Sequence, residues 1–112
     1  MTNNRRTLVI LGASGDLTAR LLLPGLGQLL TVRRDLDVEL VGVGGVPMTA
    51  AQWRKRVTAS FRAGGADLGA LKQVIAQSSY READATDAGA LAEVLEACSG
   101  TTAVYFALPP AV

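Results

Sequence analysis

The sequence predicts an α/β fold: a parallel four-stranded sheet in the order 3-2-1-4 with flanking helices, half of a doubly wound domain plus the first strand past its switch point. Three observations carry this expectation. Apolar, β-branched runs at residues 7–11, 38–43 and 102–108, with a weaker one at 79–83, are separated by segments of helical periodicity. Strands that alternate with helices build parallel sheets covered on both faces. Right-handed crossovers then set the strand order.

Each element has a local reason. Thr7-Leu-Val-Ile-Leu11 is short, continuous and apolar, the pattern of a strand buried on both faces, and it stops at Gly12. Residues 16–33 carry Leu17, Leu21, Leu22, Leu26, Leu29 and Leu30 at helical spacing, with Arg33 and Arg34 at the end where the helix dipole favours cations. Pro24 lacks an N–H and crowds the carbonyl of Arg20, so a kink or break is expected there. The second strand, 38–43, runs into Gly44-Gly45. Thr49 and Gln52 have capping-box spacing, Met48 and Trp53 are placed as a hydrophobic staple, and Trp53, Val57 and Phe61 repeat every four residues. Asp67 is a candidate cap for a short helix with Leu68, Leu71, Val74 and Ile75 inward. Asp87 is one for a helix holding Leu91, Val94 and Leu95. Pro109-Pro110 stops the last strand, since neither residue donates to a ladder.

Composition narrows the function. A chain of 112 residues, 49% hydrophobic, supports one compact domain. A net charge of +1 gives no reason to expect nucleic acid or a membrane surface as partner. The single cysteine, Cys98, excludes an internal disulfide, reads as a small, partly buried apolar residue, and fits a reducing, cytoplasmic compartment. Arg5 and Arg6 precede an apolar run far too short for a signal peptide, and no run is long enough to span a bilayer. The absence of histidine removes the commonest general base and the commonest metal ligand, so neither a catalytic residue nor a metal site is expected in this chain.

Chemistry is expected at Gly12–Thr18. In a sheet of this kind ligands bind beyond the carboxyl ends of the strands, at the switch point. Gly12 permits the tight turn, Gly15 lets backbone approach a pyrophosphate, and the N–H groups of the helix start bind phosphate oxygens without a base. The spacing is G-x-x-G-x-x-T rather than the common G-x-G-x-x-G of the Rossmann fold, with Ser14 at the second glycine. Asp16 reads either as a first-turn carboxylate that complements the dipole or as a residue shaping the loop near the ribose. Thr18 reads as a packing residue whose hydroxyl reaches towards a phosphate. A Rossmann domain usually carries an acid at the end of strand 2 for the ribose of NAD, or an arginine for the 2′-phosphate of NADP. Gly44-Gly45-Val46-Pro47 offers neither, leaving backbone groups or side chains such as Arg20.

The stretch "GASGDLTARLLLPGL" closely resembles the coenzyme loop of glucose-6-phosphate dehydrogenases, where G-A-S-G-D-L-A is followed by basic residues, a leucine and a proline. "VYFALPPAV" resembles that family's fourth strand and A-L-P-P turn, "ELVGVGG" sits where the family has V-G-x-A-R, and "SSYREADATD" is a looser match to its third strand. The resemblance puts the phosphate loop on Gly12, Ala13, Ser14, Gly15, Asp16, Leu17 and Thr18 and the nicotinamide-end turn on Ala107, Leu108 and Pro109. It puts the 2′-phosphate arginine on Gly45, where it is missing, and the lysine after the loop near Ala19, with Arg20 the nearest base. Both departures make NAD or dual use an expectation beside NADP. The resemblance implies an oxidoreductase of the pentose phosphate pathway, moving hydride from C1 of glucose 6-phosphate to NAD or NADP and giving the lactone. Residues 1–112 are then the N-terminal dinucleotide-binding Rossmann segment of a longer, cytoplasmic enzyme of carbohydrate metabolism. The family's E-K-P-F-G and R-x-D-H-Y-L-G-K segments, with the substrate lysine and the catalytic histidine, would lie beyond Val112. The expected partners are the dinucleotide, glucose 6-phosphate in the parent enzyme, and further copies of the chain.

Other readings stand beside these. Arg54, Lys55, Arg56 and Arg62 read as a solvated basic face. Asp84 reads equally as an adenine contact and as part of the turn into the next helix. Tyr105 reads as core. A non-catalytic, regulatory dinucleotide-binding module is the rival function. A short-chain reductase is a third, needing a Tyr-x-x-x-Lys pair that the chain does not contain.

Overall fold

The sheet is parallel throughout, with strand order β3-β2-β1-β4. The computed structural model describes residues 5–84, 87–98 and 101–106. Its elements are β1 (Arg5–Leu11), α1 (Leu23–Val32), β2 (Asp37–Gly44), α2 (Ala50–Ala63), α3 (Lys72–Gln77), β3 (Ser79–Glu82), α4 (Ala88–Glu96) and β4 (Thr101–Phe106). β1 pairs with β2 from Arg5↔Asp37 to Leu11↔Val43, and with β4 from Arg6↔Thr101 to Leu11↔Phe106. Leu11, Val43 and Phe106 therefore stand level at the carboxyl ends of their strands.

Alternation along the strands divides the core. Ile10 and Leu40 face one way, under α1, α2 and α3, and join Leu23, Trp53, Val57 and Phe61. Val9, Leu11, Val41 and Val43 face the other way and meet Val94 of α4. Trp53, Val57 and Phe61 are fully buried, as their four-residue repeat requires. Each such side chain contributes about 1.5–3 kcal/mol of transfer free energy. Small residues let the layers approach. A Cβ on Gly42 would lie 2.6 Å from the Trp53 ring and 2.9 Å from Ala13 Cβ.

The expected caps form, with one shift. Gln52 N–H donates to Thr49 Oγ1 at 3.1 Å and Thr49 N–H to Gln52 Oε1 at 2.8 Å, a complete capping box. Asp87 Oδ1 accepts from the N–H groups of Gly89 and Ala90. Asp67 accepts from Ala70 N–H at 3.2 Å but caps a turn, and α3 starts only at Lys72. Leu71 is buried in the Trp53 core, and Leu68, Val74 and Ile75, partly buried, pack against the same core.

Three expectations are corrected. Residues 16–32 form the expected helical run, but the irregularity is a π-helical turn ahead of Pro24 rather than a kink or break at it. A helical turn at Asp16 and Leu17 passes into a π-helical turn, Thr18–Leu22, before α1, with Pro24 in the first turn of α1. Leu23 N–H reaches back to Thr18 O, one residue further than in an α-helix. That wider turn accommodates a proline that has no N–H to give. Strand β3 is shorter than expected, ending at Glu82. Tyr105 is not core: it is 46% exposed. β4 is the sheet edge, and beside it Tyr105 lines an open groove with Leu17, Leu21, Leu22, Leu26 and Leu29 of the first helical segment. Among the described residues no helix is long and apolar enough to cross a membrane.

Candidate functional site

The turn out of β1 is built around two backbone oxygens. Gly12 N–H and Ala13 N–H both donate to Val43 O, at 2.8 and 2.9 Å, tying the loop to the end of β2. Gly12 has φ of 85°, a conformation open to glycine and rare for other residues. Its own oxygen accepts from Gly15 N–H at 3.0 Å and Thr18 Oγ1 at 3.1 Å. The loop is thereby closed on itself before the helix begins. A Cβ on Gly15 would sit 3.2 Å from Gly12 O, so the turn's closure leaves little room for a side chain at the second glycine.

The seven predicted loop residues take different places. Ala13 and Thr18 are fully buried and prop the loop from below. The Thr18 hydroxyl is spent on Gly12 O, which favours the packing reading. Asp16 is exposed and pairs with Arg20 at 2.9 Å, an acid four residues ahead of a base on the outer surface. That bond also occupies Arg20, the side chain considered for the ribose. Leu17 lies in the leucine groove. With Gly12, Ala13 and Gly15 N–H groups used internally, those of Ser14, Asp16 and Leu17 have no acceptor among the described residues. They stand at the positive end of the following helix, the arrangement that receives an anion. Ala107, Leu108 and Pro109, expected at the nicotinamide end, lie outside the described residues.

Gly45 stands exposed beyond β2, and an added Cβ there would meet nothing within 4 Å. A hollow of about 470 Å³ is lined by Gly45, Glu82, Ala83 and Asp84. The register that pairs Gly44 with Glu82 brings these carboxylates to the end of β2, where the chain has neither acid nor arginine of its own. Asp84 also belongs to a turn, its oxygen accepting from Asp87 N–H at 2.9 Å, so both readings of this residue have a structural counterpart.

Two contributors were hidden in the sequence. Tyr80 packs on Trp53, ring centroids 5.5 Å apart, and its hydroxyl donates to Val46 O, shaping the turn after β2. Arg56 is not part of a solvated face. Its Nη2 donates to Ser14 O at 3.2 Å and Gly15 O at 2.6 Å. The signal lay in the helical pattern. Arg56 lies three residues after Trp53 and one before Val57, at the rim of the buried stripe, where its stem runs along the core and its head meets the loop beside α2. Arg54 remains on the surface, its guanidinium 3.4 Å from Ala76 O.

A parallel sheet in this order, with a glycine loop closed at the carboxyl end of its first strand and spare N–H groups above it, defines a dinucleotide-binding domain of the Rossmann class. Residues 9–112 match the family model "Glucose-6-phosphate dehydrogenase, NAD binding domain". The chain belongs to the glucose-6-phosphate dehydrogenase family and is its NAD(P)-binding part. Among solved structures it is similar to glucose-6-phosphate 1-dehydrogenase from Mycobacterium avium, at 27% identity and a TM-score of 0.76, over 93% of this chain and 24% of that one. A glucose-6-phosphate dehydrogenase in complex with its substrate glucose 6-phosphate shares the fold, at 22% identity and a TM-score of 0.72, again over 93% of this chain and 24% of that one. The chain thus spans about a quarter of the length of the solved structures it matches. A comparison with curated proteins gave no match.

Proposed function

We propose that this chain is the coenzyme-binding part of an enzyme that oxidises glucose 6-phosphate at C1 to the lactone. Family membership, together with the spare N–H groups of Ser14, Asp16 and Leu17 at the strand ends, carries the reading. These groups, with the close backbone at Gly12 and Gly15, would hold the pyrophosphate. Gly45 and the neighbouring hollow would take the adenosine ribose, and Ala107, Leu108 and Pro109 the nicotinamide end. The bound nicotinamide supplies hydride acceptance. The general base and the sugar-phosphate contacts would come from outside these 112 residues, which contain no histidine.

NAD is proposed as a cofactor at least as good as NADP. Support comes from the hollow beside Gly45, which presents the carboxylates Glu82 and Asp84 where a 2′-phosphate would need a cation. Cytoplasmic placement and self-association complete the proposal. Support for the first is the single cysteine, and for the second the apolar groove of Leu21, Leu29 and Tyr105, each exposed among the described residues. Sedimentation across a concentration series tests the second.

Titration with NAD and with NADP, each on wild type and Gly15→Val, tests the central claim. Valine crowds Gly12 O and puts a side chain where the backbone would approach the pyrophosphate, so loss of both cofactors is expected. Unchanged affinity would make the loop a turn and nothing more. Strong wild-type preference for NADP would refute the claim about NAD. The rival reading, a regulatory module that binds without turnover, predicts the same titration but no E-K-P or Asp-His segment in the reading frame past Val112.

A further inference from the structure

Arg56 reaches from the second turn of α2 to the back of the glycine loop. One nitrogen, Nη2, bridges two successive carbonyls, Ser14 O at 3.2 Å and Gly15 O at 2.6 Å. The side chain is half-buried, and its Nε is buried without an acceptor among the described residues. A trans peptide points its N–H opposite to its C=O. The Gly15 carbonyl belongs to the same peptide as Asp16 N–H. Holding that oxygen towards α2 therefore turns Asp16 N–H away from α2, to the outer side of the loop. The Ser14–Gly15 peptide is fixed at both ends, its oxygen by Arg56 and its N–H by Gly12 O.

We propose that Arg56 is a positioning residue for dinucleotide binding: it orients and polarises the Gly15–Asp16 peptide so that Asp16 N–H is presented to the pyrophosphate. The proposal rests on the dinucleotide reading above. A cation on the oxygen of an amide strengthens the donor at its other end, and a charge-assisted bond does so more than a neutral one. The loop thereby gains positive potential from a base that does not itself occupy the phosphate position. The Asp16 carboxylate is held on the outer surface by Arg20, at 2.9 Å.

The test compares wild type with Arg56→Met, which cannot donate, and Arg56→Lys, which can. Each is titrated with NAD, NADP and ADP-ribose. Arg56→Met is expected to weaken all three by the same factor, about tenfold or more, with Arg56→Lys recovering part of the loss. Equal affinities in wild type and Arg56→Met would overturn the proposal. So would a loss confined to NADP, which would make Arg56 a direct 2′-phosphate ligand. Amide NMR of the free protein gives a readout that general packing does not move. The Asp16 proton resonance is expected at higher field in Arg56→Met, with Arg56→Lys between it and wild type. A resonance unmoved from wild type in Arg56→Met counts against polarisation; Arg56→Gln, which donates without a charge, takes its place if Arg56→Met does not fold. Wild type that binds none of the three ligands would overturn the dinucleotide reading, while the Asp16 resonance would still decide the role of Arg56.

Discussion

Ser14 and Gly44 are so close that a Cβ on Gly44 would lie 2.6 Å from Ser14 Oγ, and equally near Tyr80 Oη. The glycine loop is thus keyed into the end of β2, not merely adjacent to it. Gly44→Ala should cost about 1–3 kcal/mol, the usual penalty for overpacking. Gly25, in α1, has nothing within 4 Å of an added Cβ. Gly25→Ala should stabilise by about 0.5–1 kcal/mol through helix propensity. Urea unfolding of both variants reads the contrast, and similar effects in the two would show that the loop and β2 are not interlocked.

Gly45 is the opposite case, an exposed glycine with open space around it. Gly45→Arg should fold normally and raise affinity for NADP about tenfold or more, the scale of a hydrogen bond to a charged group, with NAD little changed. Paired titrations check this. An arginine that leaves NADP binding untouched would place the 2′-position elsewhere.

The start of α2 depends on Thr49. Thr49→Ala removes the acceptor for Gln52 N–H and should destabilise by about 1 kcal/mol. Gln52→Ala removes only the reciprocal bond to Thr49 N–H and should cost less. Thermal unfolding orders the two.

Asp35 gives a pH signature. Arg33 donates to both its carboxylate oxygens at 2.9 Å and, with a backbone hydrogen bond, lowers its pKa from 3.8 to about 2. The folded value lies below the unfolded one, so the folded state favours the ionised form. The contribution is complete above the unfolded pKa and disappears as pH falls through about 2. Both side chains are exposed, so the effect on stability is small. Carboxyl NMR should give an Asp35 midpoint near 2, and an ordinary midpoint near 4 would mean the pair does not persist in solution.

Cys98 should react slowly. Burial, reinforced by Glu39, raises its thiol pKa, and Sγ donates to Val94 O at 3.3 Å. Less thiolate means slower attack on a disulfide reagent. The rate at pH 8 should rise on unfolding in urea, and equal rates would show that Cys98 is not shielded.

Much of this was legible because it is local. Short continuous apolar runs placed the strands, a four-residue repeat placed the buried face of α2, and short polar motifs placed the caps at Thr49 and Asp87. What was illegible depends on neighbours distant in sequence. Tyr105 reads as core from its strand, but its exposure follows from β4 lying at the sheet edge. The π turn before α1 reflects how the helix accommodates Pro24, which periodicity does not encode. Arg56 looks like one base among four until the fold brings α2 against the loop. Glu82 joins the hollow at Gly45 only through the β2–β3 register.

The central position of β1 separates the making of the site from the completion of the sheet. Val43 and Arg56, which anchor the glycine loop, both precede β3, whereas the β4 partner of β1 follows α4. During synthesis the loop's anchors leave the ribosome well before the sheet closes, while one side of β1 still has unpaired backbone groups. Among the described strands, the pairing most distant in sequence, β1 with β4, is thus also the last to become available, a topology that slows folding and lengthens the time β1 stands open to wrong partners.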